Sequence, residues 1–158
     1  MYQFLKNTIT GIIPRKFLLE HEERIRKIYS LFYTGNNFSC PICLINLNQF
    51  VNTSNDGICP SCGSLKRNRR LWMLLETEFS FPNCVILDFS PSRSLYRRFK
   101  KRTDIQYTST DLSGDFIADY QWNITAISSA DNIFDLIICY HILEHIHEDL
   151  LAMKELFR

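Results

Sequence analysis

No run of apolar residues in the 158-residue chain approaches the ~20 that a bilayer-spanning helix needs. The N-terminal Thr8-Ile9-Thr10-Gly11-Ile12-Ile13 is too short and too polar for the apolar core of a signal sequence, and no small-residue cleavage site follows it. A large charge excess is missing too, since the formal net charge is +1. A disulfide scaffold is equally absent from the pattern, because four of the six cysteines fall in two close pairs. With 46% hydrophobic and 22% charged residues the composition is neither that of a disordered chain nor that of a fibrous one. These absences predict a soluble, cytoplasmic protein without a membrane span. The length suits one fair-sized core plus a small module.

The charge is unevenly spread. Residues 63–102 carry ten basic side chains against three acidic ones, and residues 103–158 carry ten acidic against two basic. A basic middle followed by an acidic end permits contact with nucleic acid without requiring it.

Residues 1–14 are weakly patterned up to Pro14. From Arg15 to Tyr33, Phe17, Leu18, Ile25, Ile28, Tyr29 and Phe32 recur near helical spacing among charged residues, which predicts an amphipathic helix packed on its own domain. Gly35-Asn36-Asn37 ends it, so residues 1–37 form an N-terminal helical segment.

Cys40-Pro41-Ile42-Cys43 and Cys59-Pro60-Ser61-Cys62-Gly63 are separated by fifteen residues. Two such knuckles, each placing two thiols on one tight turn, are the spacing of a tetrahedral zinc site, and a short hairpin with its turn at Ser54-Asn55-Asp56-Gly57 fits between them. Four cysteine ligands leave no open position on the metal, so the ion staples a module (residues 38–64) too small for its own core. Lys66, Arg67, Arg69 and Arg70 then begin a helix. Cations oppose the dipole preference at a helix start, so the cluster is a candidate for phosphate, carboxylate or RNA contact, beside its alternative as a solvated face.

Residues 65–158 read as a helix followed by alternating strands and helices, hence an α/β unit. Val85-Ile86-Leu87 is a buried strand closed by Asp88. A tight turn, Phe89-Ser90-Pro91-Ser92, leads into a helix bearing Leu95, Tyr96 and Phe99. In open α/β sheets ligands bind beyond the carboxyl ends of the strands, where turn amides and helix N-termini face outward. A second strand, 105–112, ends on Asp111, about twenty residues past the turn, and that spacing suits a carboxylate that accepts from the two hydroxyls of a ribose. Residues 116–122 form a weaker third strand before Asn123-Ile124-Thr125, and 134–140 a strongly apolar fourth, capped by His141-Ile142-Leu143-Glu144-His145. Residues 148–157 are helical. Cys84 and Cys139 are small core residues in this reading.

The segments CPIC, CPSCGSLKRNRRLW, VILDFSPSRSL, YTSTDL, WNIT and FDLIICYHILEHI, in this order over residues 38–158, resemble class I S-adenosylmethionine-dependent methyltransferases of the type 11-like kind that carry an N-terminal zinc ribbon. The resemblance implies a Rossmann-like sheet, here incomplete with the first four strands. It implies that Asp88 and the backbone of Ser90 to Ser92 meet the methionine end of S-adenosylmethionine and that Asp111 holds the ribose. Asn123 would read the adenine amino group with Ile124 beside it, and Tyr140 and His141 would line the mouth of the site. His141 and His145 are the candidate catalytic bases. The family's glycine-rich turn is replaced by Ser90-Pro91-Ser92-Arg93-Ser94. The family also continues past the position of Arg158 into further strands, so the resemblance predicts either a fragment of a longer protein or a partner covering the open edge strand 134–140. The expected acceptor is a small molecule or a saccharide. The rival readings are a zinc-ribbon RNA base methyltransferase and a non-catalytic cofactor-binding remnant.

Overall fold

The computed structural model describes residues 15–51, 57–79 and 81–158, with side chains from His21 onward. The predicted turn residues Ser54, Asn55 and Asp56 and the segment 1–14 lie outside the described residues. The chain divides into two compact units between Gly63 and Ser64.

The first unit opens with helix α1 (Arg15–Ser30), which tightens into a 3₁₀ turn at Leu31–Tyr33. Its Glu22–Arg26 and Glu23–Lys27 ion pairs sit one turn apart, which supports an exposed helix. Ile25, Ile28, Leu31 and Phe32 are exposed, against the expectation that this face packs on its own domain. Strands β1 (Thr34–Ser39) and β2 (Asn46–Leu47) pair antiparallel around the first knuckle. Val51 and Ile58 exchange two backbone hydrogen bonds of 2.9 and 2.8 Å, the base of the expected hairpin between knuckles.

The second unit has a parallel sheet with helices on both faces. Helix α2 (Lys66–Glu78) precedes strand β3 (Val85–Phe89), helix α3 (Arg93–Lys100), strand β4 (Gln106–Thr110), strand β5 (Leu136–Ile138) and helix α4 (Asp149–Phe157). The sheet order is β4-β3-β5, all parallel, with Asp88 opposite Ser109 on one side and Ile138 on the other. The alternation of β3 divides the core. Leu87 and Phe89 pack with Ile124, Ile127 and Ala152 of α4. Ile86 is fully buried, and an aromatic cluster joins α2, α3 and β4: Trp72 meets Phe99 edge-on at 5.2 Å, and Phe99 stacks on Tyr107 at 4.9 Å. Burying such side chains is the main source of stability in a unit of this size.

The expected third strand does not form among the described residues. Residues 116–122 contribute one isolated bridge, Thr110 to Tyr120. A few backbone bonds tie it to the end of β4, from the Asp119 and Tyr120 amides to the Ser109 carbonyl and from the Asp111 amide to the Tyr120 carbonyl, and side chains add to them. The Asp119 carboxylate accepts from the Ser109 amide and hydroxyl at 3.0 and 2.8 Å, and the Trp122 amide donates to Thr110 Oγ1 at 2.7 Å. Such bonds compete with strand pairing and hold the segment irregular. The apolar run 134–140 is likewise shorter as a strand than its sequence suggests. It pairs only over Leu136–Ile138, and among the described residues no strand pairs with its outer edge.

Candidate functional site

Among the described residues, two places gather chemistry-bearing side chains, one in each unit. In the first, the sulfur atoms of Cys40, Cys43, Cys59 and Cys62 all lie within 4.8 Å of one another, with Cys40–Cys62 and Cys43–Cys59 both at 3.7 Å. The two knuckles are built alike. The Leu44 amide donates to the Cys40 carbonyl at 2.8 Å and the Gly63 amide to the Cys59 carbonyl at 2.9 Å. Leu44 and Gly63 both take positive φ, 61° and 74°. Glycine adopts that conformation without penalty and leucine does not, so the first knuckle carries strain that the second avoids. The neighbouring sulfurs pull the Cys40 thiol well below the ordinary thiol range, with Cys43 the largest contributor, then Cys59 and Cys62. Four thiols in this arrangement can hold a metal ion. A tetrahedron with metal–sulfur bonds near ~2.3 Å has edges of about 3.8 Å, close to the separations found.

The second place is a cavity of about 590 Å³ within the sheet unit, at the carboxyl ends of the strands. Strand order explains its position. From β3 the chain crosses to β4 on one side, and from β4 it passes over to β5 on the other. The crevice between β3 and β5 is therefore a topological switch point, the place where connections diverge and leave room for a ligand. The end of β3 supplies Asp88 and the turn after it Ser90, Pro91 and Ser92. The loop after β4 supplies Asp111, Ser113 and Phe116, and the segment after β5 supplies Tyr140, His141 and His145. Trp122, Ile124, Ile138, Ile142 and Ile146 give apolar wall.

The two strand-tip acids differ in electrostatics. Asp88 is 2% exposed, and burial pushes its pKa up to about 7 despite the Tyr107 hydroxyl that donates to Oδ2 at 2.9 Å. Asp111 is also buried, which raises its pKa, but hydrogen bonds outweigh the burial and the net direction is down. Its Oδ1 accepts from Ser90 Oγ at 2.6 Å, and its Oδ2 accepts from Ser113 Oγ at 2.8 Å and the Phe116 amide at 3.4 Å. One acid is thus poised near neutrality and the other is held ionised.

Ser90 has φ 46°, and its amide donates to the Thr110 carbonyl at 2.7 Å, which ties the turn to the end of β4. Ser92 caps α3, accepting from the Leu95 amide at 3.4 Å. His141 also has positive φ, 59°, and its Nδ1 donates to Glu144 Oε1 at 2.8 Å. A carboxylate can only accept, so this bond leaves Nε2 as the basic nitrogen.

Asp88, Ser90, Ser92, Asp111, Ile124, Tyr140, His141 and His145 therefore meet around one cavity. Asn123 does not line it. Its Oδ1 is used by Thr125, whose amide and hydroxyl donate to it at 3.0 and 2.9 Å. Of the basic run after the second knuckle, Lys66, Arg67 and Arg70 are exposed at neighbouring positions of the helix and Arg69 is not. Arg69 donates to the Ser64 carbonyl at 2.6 Å, and Arg67 also lines the cavity. Cys84 and Cys139 are half-buried, and Cys139 packs against the cluster of Leu87 and Phe89. Sequence reasoning missed Asn68 and Leu71, which reach the cavity from α2 beside Arg67, and Ser113 and Phe116. The spacing of Arg67, Asn68 and Leu71 puts them on one helical face, and Ser113 and Phe116 follow a strand tip, so both signals were present.

No described helix is long and apolar enough to cross a membrane. Compared with family models, with curated proteins and with solved structures, the chain gives no match in any of the three.

Proposed function

We propose that the sheet unit binds S-adenosylmethionine at its strand tips and transfers the methyl group to a small-molecule or saccharide acceptor, and that the four cysteines hold a structural zinc ion. The observation that carries the cofactor reading is the pair of acids, Asp88 and Asp111, closing adjacent parallel strands and opening on the same cavity at the switch point. A cavity of about 590 Å³ lies within the range of small-molecule sites.

In this reading the ionised Asp111 accepts from ribose hydroxyls, the isoleucines and Trp122 bury the adenine, and Asp88 with the Ser90–Ser92 turn meets the amino-acid end. Arg67 and Asn68 add a charge and an amide to the same cavity. When bound, the cofactor supplies a methyl group on a sulfonium, a good leaving group, so the chain's main task is to align the acceptor. His141 is the candidate proton acceptor, with its ring oriented by Glu144. The expected adenine reader Asn123 stands outside the cavity, so its role passes to the apolar wall and to backbone groups near Ile124. An RNA base as acceptor is the second reading, and Lys66, Arg67 and Arg70, all exposed, are the cations it would use, whereas Arg69 is turned inward to Ser64.

Photolabelling with radioactive S-adenosylmethionine tests this reading. Label is expected on peptides spanning 85–97, 111–124 or 134–146 and is expected to be displaced by excess S-adenosylhomocysteine. Label confined to other peptides, or label that the competitor does not displace, would overturn it.

A further inference from the structure

Asp111, the residue assigned to the ribose, already accepts two hydroxyl groups. Ser90 Oγ donates to Oδ1 at 2.6 Å and Ser113 Oγ to Oδ2 at 2.8 Å. They arrive from different loops, Ser90 from the turn after β3 and Ser113 from the loop after β4, and both residues line the cavity. A carboxylate that receives one hydroxyl on each oxygen is the pattern a vicinal diol would also satisfy. We infer that Ser90 and Ser113 act as an internal stand-in for a diol, and that Ser90 is a specificity-determining residue that a ligand's hydroxyl must displace from Asp111. The inference rests on the cofactor reading above.

Two further features support it. Ser90 holds φ 46°, a conformation that glycine enters freely and serine does not, so the backbone there is suited to a residue with no side chain. The Ser90 amide is fixed to the Thr110 carbonyl at 2.7 Å, which keeps the turn in place whether or not the hydroxyl is engaged. Ser90 can therefore release Asp111 by rotating its side chain, without movement of the backbone. Of the two serines it is the costlier for a ligand to replace. The Oδ2 oxygen keeps a second donor in the Phe116 amide, whereas Oδ1 accepts from the Ser90 hydroxyl, with the Gly114 amide also close to the carboxylate.

Exchange of one hydroxyl for another gains little net affinity, because a made bond is lost for each one formed. Removing the internal competitor changes that balance. Ser90→Gly leaves Oδ1 open and the φ permitted, and is expected to tighten S-adenosylhomocysteine about tenfold over wild type. Ser113→Ala is expected to tighten it less, about twofold, since the Phe116 amide stays on Oδ2. The 2′-deoxy analogue of the same ligand, lacking a hydroxyl, should gain less from Ser90→Gly than the parent does.

The experiment is calorimetric titration of S-adenosylhomocysteine and its 2′-deoxy analogue into wild type, Ser90→Gly and Ser113→Ala, with thermal melting to show that each is folded. Tighter binding to Ser90→Gly, larger for the parent ligand than for the analogue, supports the latch. Equal or weaker binding to a folded Ser90→Gly, alongside clear binding to wild type, overturns the latch and leaves the cofactor reading standing. Absence of binding to all three folded proteins removes the cofactor reading and the latch together.

Discussion

In the described part of the first unit the deeply buried side chains beside the cysteines Cys40 and Cys59 are few, chiefly Ile42, Leu47, Pro60 and Ser30, while Ile25, Ile28, Leu31, Phe32, Phe38 and Leu44 are exposed. In the sheet unit Trp72, Phe81, Ile86, Leu87, Phe89, Leu95 and Phe99 are all buried, with further isoleucines behind them. The first unit is thus organised around four sulfur atoms, and the second around apolar area. The difference has a consequence for function. A closed set of four thiolates fixes local geometry but offers no open coordination position. A sheet held by its own core can afford buried polar groups at the strand tips, where Asp88 and Asp111 line a cavity.

Removing metal should separate the two modes of stabilisation most sharply. Structural zinc contributes an apparent ~10–16 kcal/mol to domains of the zinc-finger kind. Chelation, or Cys40→Ser, is therefore expected to abolish amide-exchange protection around Cys40–Leu47 and Cys59–Gly63 while protection in β3 and β4 persists. Simultaneous loss in both units would break the comparison.

A smaller effect is expected from pH on the sheet unit. The pKa of Asp88 is about 7 in the fold against an ordinary 3.8. Between those values the folded state binds more protons than the unfolded state, so this group makes stability fall as pH rises through the window from about 4 to 7 and level off above it. Asp88→Asn keeps an acceptor for the Tyr107 hydroxyl and removes the charge. It should flatten that part of the profile and be the more stable form at pH 8, by roughly 2–4 kcal/mol. Denaturant unfolding at several pH values measures this, and a wild-type profile as flat as the variant's would show that Asp88 is not held near neutrality.

Much of this organisation was legible in the chain. The knuckle spacing brought four sulfurs together because two tight turns leave little freedom, and apolar β3 closed by Asp88 marked the centre of the sheet. Asp111 was legible by its distance from that turn. The strand expected at 116–122 was not, because its residues resemble a strand in propensity while the Asp119 carboxylate takes the Ser109 amide of β4 and the Thr110 hydroxyl takes the Trp122 amide, so a regular ladder does not extend. Asn123 failed for a similar reason. Its side chain satisfies Thr125 locally, and a bond made two residues away leaves no periodic trace in a sequence. The pairing of Ser90 with Asp111 spans two loops and could only be seen once β3 and β4 were laid side by side.

The central claim is that Asp111 at the tip of β4 holds the ribose of a bound nucleoside cofactor. Its most direct test is calorimetric titration of S-adenosylhomocysteine into metal-loaded protein, with Asp111→Ala in parallel and melting curves for both. The account predicts micromolar-range binding to wild type, clearly weakened in the variant, because the ribose hydroxyls then enter the site without their acceptor. Undiminished binding to a folded Asp111→Ala, or no binding to folded wild type, would contradict it.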